Sequence, residues 1–157
     1  MFYWAHARAV KDSTIGLHPH QGFEICSFVL QGEIRHYDTN MKEWRPLQAG
    51  GVQIIRAGNG ISHSEWMGKD AEMFQIWFDP NLQKTIAQPA SYDDYKAADF
   101  PINTQNGTQI TTLAGVGSPF QMDMKVTVAT YAPSELVRHI KKKLPWPTEN
   151  PSRSTES

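Results

Sequence analysis

LHPHQGFEICSFVLQGE, residues 17–33, sets two histidines two positions apart, a glutamate four further on, and then an apolar run that closes on glycine. The run EICSFVL, Glu24 to Leu30, is rich in β-branched and aromatic residues and ends at Gln31-Gly32, which suits a buried strand leading into a turn. The polar residues in front of it have two readings. They are metal ligands on one face of a strand, or they are the ordinary polar beginning of a strand whose other half is core.

Outward from this stretch the same pattern recurs. EIRHYDT follows the turn at Gly32; VQIIRA, residues 52–57, is bracketed by Ala49-Gly50-Gly51 and Gly58-Asn59-Gly60; ISHSEWM leads to the turn Gly68-Lys69-Asp70 and then to AEMFQIWFD. Short strands punctuated by glycine turns, without helical periodicity from 16 to 80, predict an all-β sandwich or barrel, a jelly roll in the first instance. From Asn81 to Asn106 the composition shifts to Gln, Asp, Ala, Pro and Tyr, and SYDDYKAADFP is expected to carry one helical turn inside a long connector. ITTLAGV and KVTVATYA then resume strand character.

The bulk numbers bound the rest. With 157 residues, 39% of them hydrophobic, the chain holds enough for one ordinary core and too little for two. A net charge of -1, from 15 basic and 16 acidic side chains, supplies no global field towards nucleic acid or an anionic membrane. Cys26 is the only cysteine, which excludes an intramolecular disulfide and a Cys-rich zinc site and fits a reducing compartment. The N-terminus lacks the signature of a signal peptide, and no apolar run reaches the roughly 20 residues that span a bilayer, so a soluble cytoplasmic protein is expected. KKKLPWPTENPSRSTES at the end cannot bury enough apolar surface to offset its ordering entropy, and Lys141 to Lys143 read as solvated charges.

Side chains at i, i+2 and i+6 of an extended strand share a face, so His18, His20 and Glu24 are expected to point the same way. His63 and Glu65, in Ser62-His63-Ser64-Glu65, repeat the device. If the two strands oppose each other across a barrel, three imidazoles and up to two carboxylates converge. Neutral imidazole and carboxylate ligands suit divalent first-row metals, with Fe(II) the first expectation and Mn, Ni, Cu or Zn compatible with the same ligand types. Either pair alone is as well explained by an exposed strand; the two together, each flanked by glycine in a β-domain, favour a metal site. His36 is expected to be satisfied by a backbone carbonyl and Cys26 to be plain core, while Phe23, Phe28, Phe74, Ile76, Trp77 and Phe78 are expected to build the core and the pocket walls.

GLHPHQGFEICSFVLQGEIRHYD, followed by GGVQIIRAGNGISHSEW, resembles the pirin family of cupins, whose first domain reads HPHxGFE, VLEGExxHxDS, a GxVQ strand and AGxGIxHSE. The likeness covers residues 16 to 80 closely and runs on through FQIWFDP. It implies a cupin jelly-roll barrel holding a metal, usually Fe(II), at His18, His20, His63 and Glu65. It also implies quercetin 2,3-dioxygenase activity and, for some eukaryotic members, a role as transcriptional co-regulators. The broader cupin pattern makes the first-motif glutamate a ligand, whereas the pirin pattern takes it from the second motif. Glu65 is therefore the expected carboxylate ligand, with Glu24 beside the metal as a hydrogen-bonding or proton-handling group.

Two departures stand out: Gln21 where pirins usually have arginine, and Gly58 in place of the proline of the general second cupin motif. The layout expected from the resemblance is a barrel over residues 1–80, a connector over 81–107, a remnant or beginning of a second cupin-like part over 108–140, and a flexible tail over 141–157. The second barrel would be incomplete, its missing half leaving apolar surface exposed or covered by a second copy in a homodimer. Three functional readings follow. The first is a mononuclear-metal dioxygenase acting on a flavonol or similar small aromatic; the second a non-enzymatic, metal-dependent regulatory or protein-binding module; the third a structural dimer that has lost both roles. None involves direct nucleic-acid or membrane binding.

Overall fold

The computed structural model describes residues 1–122 and 126–133. In chain order these form β1 (Tyr3–Arg8), β2 (Ser13–His20), β3 (Glu24–Gln31), β4 (Glu33–Asp38), β5 (Arg45–Gln48), β6 (Val52–Arg56), β7 (Ile61–Met67), β8 (Glu72–Phe78), the short helix α1 (Leu82–Thr85), β9 (Ser91–Tyr95), a 3-10 turn (Ala97–Asp99), β10 (Ile102–Gln105), β11 (Thr108–Ala114) and β12 (Val128–Pro133). Three antiparallel sheets result, ordered β1-β8-β3-β6-β9, β2-β7-β4-β5 and β10-β11-β12. The first eight strands, 1-8-3-6 facing 2-7-4-5, are two Greek keys folded on each other, the jelly roll expected of this sequence.

The continuous apolar run of β3 reflects burial on both faces. Ile25 points into the barrel, where it packs with Ile55, Ala57 and Ile61. Cys26 and Phe28 point out, yet they meet Phe100, Leu113, Ala114 and Phe120 from the segment that carries β10 and β11. The third sheet thus roofs the outer face of the first. Ile25, Ile54 and Ile55 are fully buried, and each contributes on the order of 1.5–3 kcal/mol by leaving water.

Two strands are not signalled by apolar runs. β1, YWAHAR, is an edge strand with mostly exposed side chains, and β5, RPLQ, buries only Leu47. The helical turn expected within SYDDYKAADFP forms at Ala97–Asp99, where the Asp99 carboxylate accepts the Lys96 N–H at 2.7 Å. The SYDDY part of the stretch is a strand not expected from the sequence: it pairs with β6 as β9, because the other edge of β6 would otherwise leave its backbone groups unpaired. Among the described residues no helix is long and apolar enough to cross a membrane. His139, Lys141 to Lys143 and the expected tail lie outside the described residues.

Candidate metal centre

The two histidine strands are neighbours in one sheet and not opposite walls of the barrel, since jelly-roll topology pairs β2 with β7. His18 stands opposite His63 in the ladder, and His20 opposite Ile61. The pleat puts all three imidazoles on one side. Their ring centroids are 4.4 Å (His18 to His63), 4.8 Å (His18 to His20) and 4.8 Å (His20 to His63) apart, and one nitrogen from each lies within 4.8 Å of the others.

The nitrogens are prepared for a cation. His18 Nδ1 lies 2.7 Å from the Gly16 carbonyl, so this nitrogen carries the proton and Nε2 is left with its lone pair. His20 Nε2 and both nitrogens of His63 are buried without a hydrogen-bond partner among the described residues, an omission that costs about 1–3 kcal/mol per group unless a ligand fills it. Burial, reinforced by the neighbouring histidines, pushes His63 down to about 2; burial and then His18 push His20 down to about 4. Both rings are therefore neutral at physiological pH, as metal ligation requires. Three converging imidazoles, two of them with buried nitrogens that lack a partner among the described residues, fit a divalent metal ion.

A pH dependence follows. The folded chain binds fewer protons at His20 and His63 than the unfolded chain, in which histidine titrates near pH 6.5. This contribution to stability is fully present above pH 6.5 and is lost as pH falls, through about pH 4 for His20 and lower still for His63. Urea midpoints of the metal-free protein are expected to fall at each step from pH 7.5 to 6 to 5. A flat profile would contradict the neutral, desolvated imidazoles.

Glu65 follows His63 on the same face of β7 and is 4% exposed. Its carboxylate reaches across to the first sheet, accepting the Gln75 side-chain amide at 3.0 and 3.1 Å and that of Gln53 at 3.4 Å. Gln53, Ser27 and Gln75 are in register on β6, β3 and β8, a polar row on the inner face of an otherwise apolar sheet. Burial pushes the Glu65 carboxyl up, while the Gln75 hydrogen bond and His18 hold it down.

Glu24 does not share the face of His18 and His20. The chain turns at Gly22, whose φ of +87° is left-handed, so Glu24 opens β3 in the other sheet. By alternation it lies with Cys26 and Phe28 on the outer face, and it lines a cavity of about 240 Å³ with Arg56, Thr85 and Ser91. The structure brings His18, His20 and His63 together, sets Glu65 on their side of the barrel, and leaves Glu24 apart. Cys26 is buried core, and burial pushes its thiol up out of the reactive range.

His36 takes a carboxylate in place of the expected backbone carbonyl. Its Nε2 is 2.8 Å from Asp38 Oδ2, and both side chains are almost fully buried. Asp38 Oδ1 accepts the N–H groups of Asn40 and Met41, which anchors the pair to the turn after β4. The His36 ring stacks on Tyr92 at 4.2 Å and stands 5.5 Å from His63, so it buttresses the metal-facing imidazole. Burial pushes His36 down, against the pull of Asp38.

A depression of about 550 Å³ lies beside His20, lined also by Pro19, Phe23, Thr39, Asn59 and Ile61. Its aromatic wall is Phe23, which stacks on Trp77 at 5.1 Å, and the His20 ring is edge-on to both at 5.2 Å. Gln21, the departure from arginine, donates to the Asn59 carbonyl at 3.1 Å and ties the two sides of the rim.

Residues 2–78 match the family described as pirin. The chain is 29% identical over 143 residues to a Zymomonas mobilis protein named "Putative quercetin 2,3-dioxygenase", covering 87% of this chain and 58% of that one. It is 33% identical over 118 residues to Pirin-1 of Arabidopsis thaliana, covering 74% and 39% respectively. A solved structure of quercetin 2,3-dioxygenase from Acinetobacter baumannii shares the fold with a TM-score of 0.68 at 24% identity, over 80% of this chain and 49% of that one. The chain thus spans little more than half the length of these proteins, or less.

Proposed function

We propose, on the pirin match over residues 2–78, that the jelly roll of this chain is a mononuclear metal site and that the chain is a dioxygenase of quercetin-like flavonols. The observation that carries the reading is the convergence of His18, His20 and His63, of which His20 Nε2 and both nitrogens of His63 are buried with no hydrogen-bond partner among the described residues. Glu65, on the His63 face of β7, is the carboxylate of the set. Fe(II) is the preferred metal, with Mn, Ni, Cu and Zn compatible with the same ligands.

The bound metal would supply Lewis acidity towards a substrate hydroxyl. The residues of the chain do the rest. Phe23, supported by its stacking on Trp77, offers an apolar surface against which an aromatic ring system packs beside His20. The buried Glu65 carboxylate, its carboxyl raised by desolvation, is suited to accept the proton that an acidic hydroxyl gives up. The dry interior of Ile25, Ile55 and Ile61 excludes water from the inner side of the site. Glu24, on the outer face of the first sheet, has no part in this scheme.

Metal-loaded protein is expected to consume quercetin in air, and His18→Ala to lower the rate by at least about 100-fold, the order attached to losing an essential group. Full metal occupancy without turnover would remove the enzyme reading and leave the metal site.

A further inference from the structure

Glu65 is buried in the barrel and held by side-chain amides. An amide can also be turned the other way, with its oxygen facing the carboxylate and repelling it. On the Gln75 side one further donor decides the orientation: Trp77 Nε1–H donates to Gln75 Oε1 at 2.9 Å. The Tyr92 hydroxyl lies 3.3 Å from Gln53 Oε1 but shares its one proton with Asp94, so it holds Gln53 more weakly. An indole N–H can only donate, so the Gln75 oxygen is engaged and its NH2 is left to face Glu65. Ser27 Oγ accepts from both amides, at 3.2 Å from Gln75 and 3.3 Å from Gln53, and sets them on either side of one point.

We propose that Trp77–Gln75 is a positioning pair of the metal centre, a relay that fixes the orientation of the Glu65 carboxylate with Gln53 as a weaker second support. The inference rests on the metal-site reading above. Neither glutamine touches the imidazoles; both act through Glu65. The Gln75 bonds are shorter than the Gln53 bond, so the Trp77 relay carries more of the effect. Trp77 also stacks on Phe23 and meets His20 edge-on, so the depression's aromatic residue packs against the same side chain that orients Gln75.

Co(II) serves as the probe, because its visible spectrum reports the ligand set while competition with a chromophoric chelator gives the affinity. Gln75→Met, which keeps the bulk and removes the donor, is expected to weaken Co(II) binding by about 10–100-fold and to alter the spectrum. Gln53→Met is expected to do less. Trp77→Phe, which keeps a ring against Phe23 but removes the N–H, is expected to shift affinity and spectrum in the same direction. Combining it with Gln75→Met is expected to add nothing, because the two act as a unit. A Gln75→Met protein with wild-type Co(II) affinity and spectrum overturns the proposal, even if it melts lower, since lower melting alone marks a structural role. Full additivity of the two substitutions overturns it too. If Gln75→Met does not fold, Trp77→Phe and Gln53→Met decide by the same readouts. A wild-type protein that takes up no Co(II) fails at the metal-site reading, and this inference falls with it.

Discussion

His63→Ala is expected to abolish the stabilisation that a divalent metal confers on the wild-type chain. A ligand present at about 1,000 times its Kd stabilises the state it binds by roughly 4 kcal/mol, which for a chain of this size raises Tm by about 10 °C. His63 is the buried member of the trio, 4.4 Å from His18 and 4.8 Å from His20 between ring centroids, so its loss leaves two half-buried imidazoles. The metal-free Tm is expected to move much less. Truncating a side chain that is 1% exposed opens a cavity costing a few kcal/mol, but it also removes two buried nitrogens with no hydrogen-bond partner, each costing about 1–3 kcal/mol. Thermal melts with and without metal separate the two effects. An undiminished metal shift in His63→Ala would show that the metal binds elsewhere.

Gly58→Ala is expected to be the most damaging single methyl group at the rim of the site. Gly58 has a φ of +50°, and a Cβ placed there would lie 2.5 Å from the Gln88 oxygen and 2.8 Å from backbone atoms of Pro89 and Ala90. These are backbone obstacles, held in turn by the Asn59 N–H, which donates to Gln88 O at 2.7 Å, and by the Gly22 N–H, which donates to Gly58 O at 2.9 Å. Neither the left-handed conformation nor the crossing segment can give cheaply. The loss is expected to be on the order of 3 kcal/mol, about 10 °C in Tm. Gly16→Ala, with nothing within 4 Å of the added carbon, is the matched control and is expected to stay within about 0.5 kcal/mol of wild type. Equal melting of the two variants would contradict the packing of residues 88–90 over Gly58. The departure from proline at this position thus has a physical reason, since residues 88–90 occupy the space into which any β-carbon would project.

The jelly roll was legible from the alternation of short apolar runs and glycine turns, and the trio from two same-face pairs, HPH and HSE. How they meet was not. Parity within a strand gives the face of a side chain, but only topology tells that β2 and β7 are neighbours and not opposed. Extending the parity of His18 and His20 to Glu24 fails because Gly22 ends one strand and sends the next into the other sheet. β1 and β5 escape notice because an edge strand needs few buried side chains, and SYDDY reads as polar because β9 owes its place to backbone pairing with β6. Gln53 and Gln75 did leave a signal: each is a polar residue inside an apolar strand, VQII and FQIW, where a buried amide needs a partner. Which partner, and that both share Glu65, depends on β6 and β8 lying in one sheet and β7 in the facing one.

The central claim is that His18, His20 and His63 hold one metal ion with Glu65. Anaerobic equilibrium dialysis against Fe(II), followed by elemental analysis of metal and protein, tests it most directly. The expected result is about one iron per chain for the wild type and less than about 0.1 for His63→Ala, as tight ligation at a site emptied by removing one ligand requires. A wild-type ratio below about 0.1, or equal ratios in the two proteins, would contradict it.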